Sequence, residues 1–244
     1  MSERKYGIKH LAGAFLCGSL FFSGIAMASS EQIEVSFQKL AFYVQGEDKS
    51  SADGIFNNNG KEVPESLIYQ GTTYVPIRMV SGLLGQPVYW ENNGKAVSIE
   101  VPTVVLVDQD GQVIGSAVLK QVEDDVEISI KVSDLTPGKH GFHIHQNAFT
   151  GTEFAAAGGH FNPDGKQHGH LNPDGHHLGD LPNLEVNEDG TAEATFLVEH
   201  ATLEPGKPNS LLGRSLIIHA GEDDQMTDPS GDSGDRVAGG NIPN

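Results

Sequence analysis

Residues 139–181 read KHGFHIHQNAFTGTEFAAAGGHFNPDGKQHGHLNPDGHHLGDL. Eight of the chain's 11 histidines fall in this stretch, together with one well-placed carboxylate, Asp180. Neutral imidazole is the commonest metal ligand at physiological pH. These histidines do not form a tract. They stand at separate positions among Gly, Asn, Pro and Asp turn signals, which argues for a built site rather than a solvated low-complexity loop. His143-Ile144-His145 is H-x-H in an apolar run. On a strand, alternate residues share a face, so both imidazoles point the same way and suit one metal. His160 sits in a Gly-Gly-His-Phe-Asn-Pro loop that can reach over, and His177-x-x-Asp180 makes a compact pair. Three histidines and one aspartate suit tetrahedral zinc, and imidazole-rich sites also suit copper.

Outward from this stretch, short apolar or alternating runs are separated by turns. They cover 103–107, 113–119, 126–132, 141–145, 184–186, 191–198 and 215–219. Turn signals stand at 108–111, 123–125 and 136–138. This pattern predicts an antiparallel sandwich or barrel. His219 ends the run Ser215-Leu216-Ile217-Ile218-His219. Residues 221–240, rich in Gly and Asp, read as a loop. No phosphate loop, nucleophile elbow, heptad or internal repeat is present.

The region 102–244 resembles the copper–zinc superoxide dismutases. The matching motifs are Gly141-Phe142-His143-Ile144-His145, Gly159-His160-Phe161-Asn162-Pro163, His168, His177-Leu178-Gly179-Asp180-Leu181 and Gly213-Arg214-Ser215-Leu216-Ile217-Ile218-His219. The resemblance implies an eight-stranded Greek-key β-barrel, mainly β overall, with copper and zinc as cofactors and superoxide as substrate. It implies that His143, His145 and His219 are copper ligands and that His160 bridges copper and zinc. It implies zinc at His160, His168, His177 and Asp180. Asp223 falls where the family has an aspartate that orients one ligand of each metal. Arg236 matches the arginine that holds the anion, with Lys139 and Lys166 as further candidates for a positive channel. His170, His176 and His200 match no ligand position and are expected to face solvent, while His140 has a structural role beside the H-x-H strand. Most members tie the loop before the bridging histidine to the last strand by a disulfide; here Phe154 and Gly239 stand at those positions. Phe154 is therefore expected to anchor the loop by packing into the space left by Gly239. The alternative function is a copper or zinc store or carrier without turnover. A homodimer is compatible with the resemblance.

Residues 1–28 read as an export signal. Arg4, Lys5 and Lys9 precede an apolar run, and Ala26-Met27-Ala28 is a small-x-small cleavage site. Export places the protein outside the cytoplasm, secreted or in the cell envelope. The one cysteine, Cys17, leaves with the signal, so the mature chain has none. The formal net charge of −18 argues against nucleic acid and anionic membrane as partners. Residues 37–100 read as a small α+β domain. Strands are expected at 41–44, 72–75, 88–90 and 96–99, with a helix after Pro76 carrying Ile77, Val80, Leu83 and Leu84 on one stripe. This stretch resembles the copper amine oxidase N-terminal-like domain, on Gly71-Thr-Thr-Tyr-Val-Pro-Ile-Arg78, Leu84-Gly85 and Trp90. It holds no His and no Cys, so it offers no copper site. A spacer or envelope-attachment module is the modest reading, and because residues 29–100 supply no plausible ligand they are expected to be dispensable for catalysis.

Overall fold

The computed structural model describes residues 33–244. The export signal expected at 1–28 lies outside them. The chain divides into two compact units, one ending at Gly85 and the other running Gln86–Asn244. Among the described residues no helix is long and apolar enough to cross a membrane.

The first unit is built of small hairpins and one helix. Ile55–Asn58 pairs with Lys61–Pro64, and Leu67–Tyr69 pairs with Thr72–Tyr74. Asn59 and Gly60 link the first pair with φ of 50° and 84°, the positive values a tight hairpin turn requires. The helix, Ile77–Leu83, starts after Pro76 and stops before Gly85, as expected. Its buried face is not the predicted stripe. Met79 and Ser81 are buried, whereas Ile77 and Leu84 are exposed. A helix of two turns has little stability of its own, so its neighbours decide which face is covered.

The second unit is mainly β. Seven antiparallel strands form one curled sheet in the order Phe142–His145, Ser215–His219, Arg236–Asn241, Thr103–Asp108, Val113–Val122, Asp125–Val132 and Ala192–Val198. Gly138–His140 pairs with Leu184–Val186 in a separate ribbon. The strand through the first histidine pair is thus broken at Gly141 and serves both sheets. Counted once, it brings the strands to the eight of the expected barrel. Alternation closes the core: Val126, Ile128, Ile130 and Val132 are buried from one strand, and Ala192, Phe196 and Val198 from its partner. Phe142 and Phe196 meet across the interior at 5.3 Å between ring centroids. Each such side chain contributes about 1.5–3 kcal/mol on burial.

Two features differ from the sequence reading. The stretch 221–240 is not all loop, because Arg236–Asn241 lies in the middle of the sheet. Its glycines answer a close approach and not a turn. A Cβ on Gly239 would lie 2.7 Å from Ile217 Cδ1, and one on Gly240 would lie 2.2 Å from Val105 O. Second, the hairpin Val88–Glu91/Ala96–Ile99 groups with the barrel unit. The sequence reading had placed it in the N-terminal module.

Candidate metal centre

The centre starts from the H-x-H strand. His143 and His145 point to one side, while Ile144 between them enters the core. The long loop after this strand folds back along it. Ile144 N donates to Gly179 O, Phe161 N donates to Ile144 O, and Gly179 N donates to Phe161 O, each at 2.8 Å. This ladder brings His160 and Asp180 beside the strand, in bridges His145–His160 and His143–Asp180. It needs Gly179, since a Cβ there would sit 2.2 Å from Ile144 O. His219 arrives on the neighbouring strand.

Two ligand groups result. His143, His145, His160 and His219 present nitrogens within 4.8 Å of one another, and so do the donor atoms of His160, His168, His177 and Asp180. All seven residues are buried. His160 belongs to both groups. Its Nδ1 lies 2.7 Å from Asp180 Oδ1, and the Nδ1 atoms of His168 and His177 lie 3.0 and 3.1 Å from the same oxygen. Three imidazoles thus converge on one carboxylate oxygen. Asp180 Oδ2 is fixed by the amides of Gly169 and His177. In the other group, His145 Nδ1 donates to Gly158 O and His219 Nδ1 donates to Gly234 O, which turns both Nε2 atoms inward to 3.4 Å from each other.

The remaining inward atoms fit a bound metal. His143 Nδ1 and His160 Nε2 are buried and have no hydrogen-bond partner. Leaving such atoms unpaired costs about 1–3 kcal/mol each. Both face the four-histidine group, where a metal would satisfy them. The donor chemistry fits copper in the all-imidazole group and zinc in the three-His, one-Asp group. Asp223 joins the groups from behind: its Oδ2 lies 2.7 Å from His143 Nε2 and its Oδ1 lies 3.0 Å from His168 Nε2. Asn183 holds Asp223 through two bonds to its backbone.

Burial sets the protonation of the four-histidine group. It lowers His143 to about 3 and His219 to about 4, and it lowers His145 and His160 as well. These rings are neutral, as ligands must be. His168 goes the other way. Burial pulls it down, but the carboxylates of Asp180 and Asp223 outweigh burial and raise it to about 9. Burial alone would raise both carboxyls; their histidine hydrogen bonds prevail and hold Asp180 and Asp223 below the usual carboxylate range.

Arg236 stands at the mouth. Its Nη1 donates to Phe154 O and its Nη2 to Gly158 O, so the carbonyl of Gly158 holds both the arginine and His145. Arg236, His145, His160 and His219 line one cavity of about 350 Å³. Lys139 does not reach it, being paired with Glu222 at 2.9 Å, and Lys166 is absent from its lining. Arg236 is the only basic Lys or Arg side chain in that wall. His140 is buried, its Nδ1 donating to His219 O at 2.6 Å, which matches a structural role. His170, His176 and His200 are exposed.

Phe154 is buried as expected, but its partner is different. Its ring meets Phe149 edge-on at 5.1 Å, in a cluster with Ala157 and Ile217. Of the two rings it is Phe149 that borders Gly239, 3.4 Å from where a Cβ would stand, behind Ile217. The sequence reading missed Phe149, whose place in Ala148-Phe149-Thr150 offers no signal. It also missed the carbonyls of Gly158 and Phe154 as acceptors, since backbone oxygens leave no trace in a residue pattern.

An antiparallel barrel with two buried ligand sets sharing one imidazole defines a β-barrel protein with a centre fit for two metals. Residues 113–242 match the family described as copper/zinc superoxide dismutase. The chain belongs to that family. It is 42% identical over 140 residues to the Cu-Zn superoxide dismutase 1 of Aquifex aeolicus, covering 55% of this chain and 83% of that protein. It is 41% identical over 143 residues to the superoxide dismutase-like protein YojM of Bacillus subtilis, covering 56% and 73%. Among solved structures, a SOD-like protein from Bacillus subtilis superposes with a TM-score of 0.55 at 38% identity, covering 57% of this chain and 97% of that one. The hairpin at 88–99 precedes the matched residues.

Proposed function

We propose that the protein is an exported copper–zinc superoxide dismutase. The observation that carries this reading is His160, which faces the zinc-type group through Nδ1 and the copper-type group through a buried, unpaired Nε2. His143, His145, His160 and His219 would hold copper; His160, His168, His177 and Asp180 would hold zinc. Bound copper supplies the one-electron cycle by which two superoxide anions and two protons become dioxygen and hydrogen peroxide, and zinc supplies a charge that does not change redox state. The chain's own residues do the rest. Arg236 offers a fixed positive charge to a small anion, its guanidinium aimed by two carbonyls. His160 Nε2 is the atom at which the chain can hold a proton beside the bound anion. Asp223 fixes the ring planes of His143 and His168.

A storage or carrier protein needs ligands but no anion site. Arg236 beside His145 and His219 in an open cavity favours turnover. Residues 37–85 bring no histidine, which supports a spacer or envelope-attachment role in keeping with the copper amine oxidase N-terminal-like motif. The signal pattern at 1–28 supports export. Metal analysis and a superoxide assay on the purified mature protein test the reading. We expect one copper and one zinc per chain, with activity that His145→Ala abolishes along with copper. A fully metallated protein without turnover would defeat it in favour of storage.

A further inference from the structure

The chain that forms the barrel has no cysteine, yet the loop at 146–158 must be held, because its carbonyls aim both Arg236 and His145. Two side-chain amides hold it. Asn241, at the end of the last strand, accepts from Phe149 N at 3.0 Å and donates to Phe149 O at 2.9 Å. Asn93, at the tip of the hairpin 88–99, does the same to Gly151: its Oδ1 accepts from Gly151 N and its Nδ2 donates to Gly151 O at 3.0 Å. A carboxamide bound to both the N–H and the C=O of one residue ties down the two peptide planes that flank it.

Glu91 ties the two amides together. It is 5% exposed, a rare degree of burial for a carboxylate. Its Oε1 accepts from Asn93 N at 2.7 Å and from Asn241 Nδ2 at 3.2 Å, while Oε2 accepts from Gly94 N. The hairpin tip also packs on the barrel, since a Cβ on Gly94 would lie 3.2 Å from Val105 Cβ. The path is continuous: Glu91 to Asn93 and Asn241, these to Phe149 and Gly151, and the same loop through Phe154 O and Gly158 O to Arg236 and His145.

We infer that the hairpin 88–99 is a clamp of the active-site loop, in which Glu91 and Asn93 are positioning residues for Arg236. This rests on the dismutase reading for the role of Arg236, but the clamp itself does not. It makes the hairpin part of the catalytic unit, against the sequence expectation that residues 29–100 are dispensable for catalysis.

The test uses the full-length protein and Asn93→Ala, chosen because Asn93 is only partly buried and its loss leaves the core intact. Hydrogen exchange on the metal-free protein reads the loop; azide, a small anion, titrated spectroscopically against the copper-loaded protein reads Arg236. We expect amides within 149–158 to exchange about tenfold faster, and azide to bind roughly three- to tenfold more weakly at unchanged copper content. Wild-type exchange in that loop would overturn the clamp. Faster exchange with unchanged azide affinity would overturn the positioning of Arg236. Neither readout requires superoxide turnover, so an inactive wild type would refute the dismutase reading while leaving the clamp judged on its own.

Discussion

Phe154→Ala tests whether packing replaces a covalent tie. The ring is 5% exposed and lies edge-on to Phe149 with 5.1 Å between centroids. Its other neighbours are Ala157, Ile217 and the partly buried Val107. Removing it loses the transfer energy of an aromatic ring, leaves a cavity, and costs the edge-on contact, together about 3–5 kcal/mol. The lower end applies if the loop collapses into the gap. That is of the size a disulfide contributes, about 2–4 kcal/mol. Unfolding of the metal-free protein in urea measures it. Trp90 is the single tryptophan and stands on the hairpin of the barrel unit, so its fluorescence follows that unit. We expect a lower midpoint at unchanged slope. Phe154→Leu, which keeps most of the volume, should lose about 1–2 kcal/mol, and reductant should change neither protein. A Phe154→Ala midpoint matching the parent would mean that the amides of Asn93 and Asn241 hold the loop alone.

Asp223→Ala removes the acceptor of His143 Nε2 and of His168 Nε2. It should weaken both metals about 10–100-fold in chelator competition; loss at one metal only would show that the aspartate does not couple the sites. The metal-free protein should be most stable near a pH of about 6.5. His143, His145, His160 and His219 are held neutral, with His143 at about 3 and His219 at about 4, while the unfolded chain takes up protons below about 6.5. Their contribution is present above that pH and is lost as pH falls toward the folded values, by up to about 1.4 kcal/mol per histidine per pH unit. His168, raised to about 9, contributes below about 6.5 and loses that contribution as pH rises through about 9. A melting temperature flat from pH 7 to 5, in roughly the window where these groups differ, would refute the assignment. Raising salt should slow superoxide consumption, because Arg236 attracts the anion at short range although the chain carries −18 overall; acceleration would show that the global repulsion dominates.

The ligand set was legible because local geometry carries it. H-x-H on a strand forces two imidazoles to one side whatever the fold around them, and His177-x-x-Asp180 closes a pair within one turn. Most barrel strands were legible for the same reason, since alternation survives wherever one face is buried. The strand Arg236–Asn241 was hidden by its own function in the sheet. It passes so close to Ile217 and Val105 that only Gly239 and Gly240 fit, and paired glycines imitate a loop. The helical stripe at Ile77 misled because a two-turn helix takes its orientation from contacts its own sequence does not encode.

What pattern could not show is where backbone oxygens point, and the proposed anion site depends on them. Gly158 O receives Arg236 and His145, Phe154 O receives Arg236, and Gly234 O receives His219. Phe154 opens a short 3-10 helix and Gly158 follows it, in a loop whose shape is set from a distance. The residues that set it, Phe149, Asn241 and Asn93, have no motif and lie up to 150 positions from their partners, the separation of Glu91 and Asn241. Loops that far from their supports pay a closure cost that grows only slowly with length. A few well-placed amides can therefore do at long range what a disulfide would do. The consequence is that the chemistry of this centre is written in the histidines, but its geometry is written in residues that, taken one by one, read as ordinary polar loop.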